Sequence, residues 1–129
     1  MKNRYLNAKG KGKFDYDYNN NILLFKVKDR KYLKSVELEN IIIDLDEKLF
    51  IIGVRIFDAS KILRLSKSDL RNLKGFEFQG KIEDKIISIQ LRFHYLKRNK
   101  IMEYPGQDFM IKDDTYADIN DSKVSCTVA

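Results

Sequence analysis

The chain has 129 residues, 43% of them hydrophobic and 12% aromatic, which is enough apolar material for a core of one-domain size. No run of about 18 apolar residues is present, so no transmembrane helix is expected, and no apolar stretch follows the charges at Met1-Lys2-Asn3-Arg4 to suggest a secretory signal. A single cysteine, Cys126, excludes an internal disulfide, and together these features point to a cytoplasmic protein. The abundance of Ile, Lys and Asn suggests a prokaryotic source.

The net charge is +6 and unevenly placed. Residues 1–34 carry 10 Lys/Arg against 3 Asp, or +7, and the rest carries 15 against 16 acids, or −1. Six acids fall in residues 103–121, including Asp113, Asp114 and Asp118. A basic front of this kind suits a polyanion, or the acidic tail of the same or another subunit.

In chain order, residues 1–13 hold two glycines and little periodicity and are expected to form a flexible basic arm. Lys9-Gly10-Lys11-Gly12-Lys13 lacks the spacing and the Ser/Thr of a phosphate-binding glycine loop. Phe14–Tyr18 alternates at strand period, Asn19-Asn20-Asn21 is a turn, and Ile22–Lys28 returns. Further strands are expected at Ser35–Glu39, at Ile41 to Leu45, and at Phe50 to Ile56. Gly53 inside the last of these marks a bulge or a close backbone approach. Asp58 is positioned to cap a helix, Ser66-Lys67-Ser68-Asp69 resembles a capping box, and Gly75 reads as the helix end. One short helix, or a broken pair, is therefore predicted near residues 60–74. Phe76 and Phe78 begin a second β half, with a turn over Gly80–Lys85. Ile87, Ile89, Leu91, Phe93 and Tyr95 alternate with Ser88, Gln90, Arg92 and His94, the pattern of a sheet with one wet face. Tyr104-Pro105-Gly106 is expected to break the chain before short edge strands at 109–112, 116–119 and 123–128. The predicted class is α+β, dominated by antiparallel sheet. The predicted core is Leu23, Phe25, Ile41, Ile43, Ile52, Val54, Ile56, Leu70, Phe76, Phe78, Ile87, Ile89, Leu91 and Phe93.

Tyr16-Asp17-Tyr18, the apolar strand after it, Ile42-Ile43-Asp44-Leu45-Asp46, Ile52-Gly53-Val54-Arg55-Ile56 and Asp58-Ala59-Ser60-Lys61 resemble, in order and spacing, a prokaryotic family catalogued as domain of unknown function 2283. The resemblance covers about residues 14–63. It departs at Leu49-Phe50, where the family's turn is more polar, and in the long second half from residue 64 on. It implies an antiparallel sheet closed by a helix, a tendency to dimerise, and no settled activity. Some members are discussed as antitoxin-like partners of small toxins.

The side chains that carry chemistry are sparse. Asp15, Asp17, Asp44 and Asp46 would suit a hard cation if they converged, but acids at turns are routine. His94 has no nucleophile or acid at a diagnostic offset, and nothing near Cys126 would activate it. No catalytic set, metal site or cofactor is expected. Basic residues form three clusters, over Lys2–Lys13, over Lys26–Lys34, and at Arg92, Lys97, Arg98 and Lys100, with Tyr5, Phe14 and Tyr32 interleaved in the first two. The expected function is a non-enzymatic protein-interaction module, a regulator or antitoxin-like partner, forming a homodimer through exposed sheet edges. The alternative is a nucleic-acid-binding accessory protein that uses Lys2, Arg4, Lys9, Lys11, Lys13, Arg92, Lys97, Arg98 and Lys100. No membrane partner is expected.

Overall fold

Strict alternation of apolar and polar residues builds two sheets that share one core. The computed structural model describes residues 4–112 and 121–128. In chain order the elements are β1 (Arg4–Ala8), β2 (Gly12–Asp17), β3 (Ile22–Val27), β4 (Tyr32–Leu38), β5 (Ile41–Asp46), β6 (Ile51–Phe57), α1 (Ala59–Leu63), α2 (Lys67–Arg71), β7 (Leu73–Glu83), β8 (Ile86–Lys97), β9 (Lys100–Lys112) and β10 (Ser122–Val128). Sheet B has the order β2-β3-β6-β5-β4, and every pair in it is antiparallel. Sheet A has the order β1-β10-β7-β8-β9, antiparallel except for the β1–β10 pair. The class is α+β with antiparallel sheet dominant, as the periodicity predicts.

The inner faces meet through aromatic rings. Phe93 stacks on Tyr104 at 4.4 Å and on Phe76 at 5.8 Å within sheet A, and Phe76 stacks on Phe25 of sheet B at 4.0 Å. Leu23, Ile43, Leu45, Ile51 and Ile56 from sheet B join Phe78, Ile87, Ile89, Leu91 and Val124 from sheet A in one buried cluster. Each such side chain contributes about 1.5–3 kcal/mol on burial. Of the predicted core only Ile41 is half-buried rather than buried.

The arm expected over residues 1–13 is, from Arg4 on, part of the sheets. Arg4–Ala8 runs parallel to β10, with Arg4 opposite Ser122 and Ala8 opposite Cys126. Its partner lies more than a hundred residues away, which no local pattern reveals. Gly12 then carries the chain into sheet B through a tight gap, where a Cβ would lie 2.8 Å from the Thr127 carbonyl oxygen.

The helical region is the broken pair, two five-residue helices interrupted where Arg64 adopts the left-handed conformation. Other expectations are corrected. The second helix is capped at Asn72, not at Gly75. Ser66 caps α2 as predicted, its Oγ accepting from the Asp69 N–H at 3.0 Å. Gly80–Lys85 is not a loop: β7 continues to Glu83, and Asp84-Lys85 alone turns the chain, both at positive φ as a tight hairpin requires. Pro105 and Gly106 do not end β9. They fall where its register with β8 shifts, between the Leu91–Gln107 and Phe93–Tyr104 partners. Within sheet A, β9 pairs only with β8, and an edge strand with an irregularity tolerates the missing proline N–H. The strand expected at 116–119 lies outside the described residues.

Asp58 does not cap α1 with its side chain, and Asn21 does the work from the β2–β3 turn. Asn21 sits at φ 56°, a conformation asparagine tolerates. Its Oδ1 accepts from the Ser60 N–H at 3.1 Å and from the Tyr16 hydroxyl at 2.7 Å. Its Nδ2 donates to Ser60 Oγ at 2.8 Å, and its carbonyl accepts from the Ala59 N–H at 3.0 Å. Asn21→Ala is expected to cost about 1–2 kcal/mol, since it removes a cap and strands polar groups of Tyr16 and Ser60. Urea unfolding checks this, and an unchanged midpoint would contradict the cap.

Candidate functional site

The outer face of sheet B gathers charge because strand register aligns it. One cross-sheet row reads Lys13, Lys26, Gly53, Asp44, Ser35, and the next contains Asp15, Leu24, Arg55, Ile42, Glu37. Gly53 opens the first row. A Cβ there would lie 3.2 Å from Asp44 Oδ2, so the Asp44 side chain leans over the glycine. Arg55 reaches across from the second row and donates through Nη2 to Asp44 Oδ1 at 2.8 Å. The register shifts between Asp44 and Leu45, which sets Ile52 outside the pairing. The expected bulge and the expected close approach at Gly53 are therefore both present.

Asp44 also accepts from Ser35 Oγ at 2.7 Å, and Ser35 Oγ lies 2.7 Å from the Tyr32 hydroxyl. Ser35 gives its one proton to Asp44, so Tyr32 is the donor in that pair. A chain of polar contacts thus runs from Arg55 through Asp44 and Ser35 to Tyr32, a ring left 59% exposed on edge strand β4.

Asp46 is different in kind. It is 2% exposed, and each of its oxygens is committed. Oδ2 accepts from Arg30 Nε at 2.8 Å and Nη2 at 2.6 Å, and Oδ1 accepts from the N–H groups of Lys48 and Phe50, both at 2.9 Å. A buried carboxylate needs such donors, and here they tie the β3–β4 loop to the β5–β6 hairpin.

A cavity of about 640 Å³ opens beside this network, bordered by Lys13, Lys26, Lys28, Arg30, Tyr32 and Arg55. Five of these six side chains are cationic, against Asp29 and Asp44 among the remaining lining residues. Arg30 and Arg55 are held by carboxylates, whereas Lys13, Lys26 and Lys28 make no ion pair among the described residues. Arg55 Nε is buried without a hydrogen-bond partner. The geometry offers fixed positive charge beside an exposed aromatic ring.

Of the basic residues singled out in the sequence, only Lys13 lies in this cradle. Lys2 lies outside the described residues. Arg4 is spent on structure: it donates to the carbonyls of Lys48 and Asp121, and its guanidinium lies 4.6 Å from the Phe50 ring centroid. Lys9 and Lys11 are exposed in the β1–β2 connection. Arg92 alternates with buried Leu91 and Phe93 and so stands on the outer face of sheet A, the far side of the molecule from Lys13. Lys97, Arg98 and Lys100 lie at the β8–β9 turn, with Lys97 3.7 Å from Asp69. Lys13 and Arg92 therefore do not share a surface.

The sequence pattern marks Lys26 to Lys34 as a cluster with Tyr32 interleaved, but it does not single out Lys26, Lys28, Arg30 or Arg55 as site residues. The signal available was Arg55, the one charge within the apolar run Ile51–Phe57. The acids do not converge. Asp17 accepts from the Asn20 backbone and side chain, which holds its carboxyl below the usual value, and Asp44 and Asp46 belong to separate arginines. His94 is exposed on the outer face of sheet A, opposite Gly75 and Glu103 in register.

The fold and site define a class: a two-sheet α+β protein with a basic cradle on one open sheet face. The chain belongs to the family described as Protein of unknown function (DUF2283), whose model matches residues 13–60. That stretch is sheet B almost entire, with the start of α1, and it carries the whole cradle. An uncharacterized protein of Methanocaldococcus jannaschii is 40% identical over 83 residues, 64% of this chain and 71% of the relative. A Methanosarcina mazei protein, provisionally named a hypoxanthine phosphoribosyltransferase, is 36% identical over 84 residues, 65% of this chain and 68% of the relative. No solved structure matches.

Cys126 is fully buried between the sheets, and burial pushes its thiol from 9.0 up to about 11. Between those values the unfolded chain ionises while the folded one stays protonated, so stability falls as pH rises through that window, by up to about 2–3 kcal/mol. Cys126→Ser is expected to flatten this alkaline loss, and denaturant midpoints from pH 8 to 11 check it. Equal slopes for both proteins would overturn the assignment.

Proposed function

We propose that this protein is a non-enzymatic binding module whose working surface is the basic cradle on sheet B, and that its ligand there is anionic. The observation that carries this reading is the gathering of Lys13, Lys26, Lys28, Arg30 and Arg55 in one cavity. Binding is favoured over catalysis because Asp44, the lining carboxylate nearest the arginines, already accepts from Arg55 and Ser35 through Oδ1. The Methanosarcina relative is named for phosphoribosyl transfer, and the cradle's cations would also suit a phosphorylated ligand. Binding to a phosphate polymer is expected to weaken as salt rises, and Lys26→Ala with Lys28→Ala is expected to lower both the affinity and the salt slope. Titration of polyphosphate by fluorescence anisotropy competition measures this. Affinity independent of salt, or unchanged in the double variant, would sink the reading.

A second reading keeps the protein-interaction role, as a homodimer or as a regulator or antitoxin-like partner, and rests on a different surface. Strand β9 is a 13-residue edge that carries Ile101 at 70% and Met102 at 40% exposure. Open apolar edges of this kind invite strand pairing. A dimer that Ile101→Lys disrupts is the expected result in sedimentation equilibrium. A monomer at every concentration would dismiss self-pairing.

A further inference from the structure

We propose that the ligand of the cradle is single-stranded nucleic acid, with Tyr32 stacking on one unpaired base while Lys13, Lys26 and Lys28 follow the phosphates. This inference rests on the anion-binding reading above and names its ligand class.

Three observations select it among anions. The first is extent. Lys13 stands on β2 and Tyr32 on β4, the two edges of a five-stranded sheet. Four interstrand steps of about 4.8 Å separate them, so the cradle spans roughly 19 Å. That distance accommodates about five or six nucleotides of stacked strand at about 3.4 Å each. A mononucleotide would reach only one end. The second is the ring. An acidic peptide or a phosphate polymer would satisfy the lysines equally and make no use of a tyrosine 59% exposed at the mouth of the cavity. Unpaired bases stack on such rings whatever their identity, whereas a duplex keeps its base faces internal. The third is preorganisation. The Tyr32 hydroxyl is anchored on Ser35, Ser35 on Asp44, and Asp44 on Arg55, so the ring is already oriented by contacts that reach the cavity floor. A ligand that meets a fixed ring loses less freedom on binding than one that must order it. By contrast, Tyr18, the exposed tyrosine at the far end of β2, already has Lys67 and Arg71 over its ring at 5.0 and 4.6 Å.

The experiment is a set of anisotropy titrations on the full chain at low salt. The probes are labelled oligo-dT and oligo-U of two and six residues, a DNA duplex, polyphosphate and polyglutamate. Six-residue strands are expected to bind far more tightly than two-residue strands and more tightly than the duplex, polyphosphate or polyglutamate. The log–log salt slope is expected near −2, about 0.7 for each of three lysine–phosphate contacts. Tyr32→Ala is expected to lower six-residue affinity about 5- to 150-fold, the range for loss of one stacked base. Tyr32→Phe keeps the ring but loses its anchor on Ser35, and is expected to retain an affinity between those of the unsubstituted protein and Tyr32→Ala, while Tyr5→Ala, on β1 of sheet A, is expected to change nothing. Thermal melts of each variant establish that it is folded. If polyphosphate or polyglutamate binds as well as oligo-dT and Tyr32→Ala has no effect, the nucleic-acid assignment falls while the anion-binding reading stands. If no anion binds at low salt, both fall together.

Discussion

The stack of Phe25 on Phe76 is the contact on which the rest of the molecule depends. Phe25 belongs to sheet B and Phe76 to sheet A, and their rings lie 4.0 Å apart and 15° from parallel. Phe78 approaches the same ring at 5.2 Å, while Phe93 and Tyr104 extend the row across sheet A. Each sheet alone would expose one apolar face, so neither is stable without the other. The tight gap at Gly12 follows, because a side chain there would push β2 away from β10 and from Phe25 itself.

Residues that carry the family resemblance have physical reasons for their positions. Ala59-Ser60 meets Asn21 in one hydrogen-bonded junction that fastens the β2–β3 turn to the start of α1. Asp46 closes the β5–β6 turn and neutralises Arg30. The departure at Leu49-Phe50 also acquires a reason. Phe50 receives the guanidinium of Arg4 at 4.6 Å, with that of Arg30 at 5.7 Å. Arg4 belongs to β1, in the part of the chain that builds sheet A. An apolar ring where a polar turn is usual therefore serves the docking of the added sheet.

The cradle shows how a sheet face converts sequence into chemistry. Its charges come from four separate stretches: Lys13 on β2, Lys26 to Arg30 at the end of β3, Asp44 on β5 and Arg55 on β6. Carboxylates hold the arginines in place and leave the lysines to define the field. The face is therefore rigid where it is paired and positive where it is open.

The sequence alone determined the strand periodicity, the class, the family and most of the core, because alternation and turn residues are local properties. Ile87 to Tyr95 is the clearest case: five inward residues at every second position, each of them buried. The family residues were legible because their order and spacing survive without any knowledge of contacts. What escaped depends on partners far apart in the chain. Arg4–Ala8 is a strand only because β10 lies beside it, and Pro105 is tolerated because β9 is an edge. Lys13 and Arg92, both singled out by proximity in sequence, fall on opposite faces, whereas Lys26, Tyr32, Asp44 and Arg55 converge through strand order and register. Which side chains share a face across a sheet is decided by hydrogen-bond pairing between strands, and tertiary structure alone supplies that pairing.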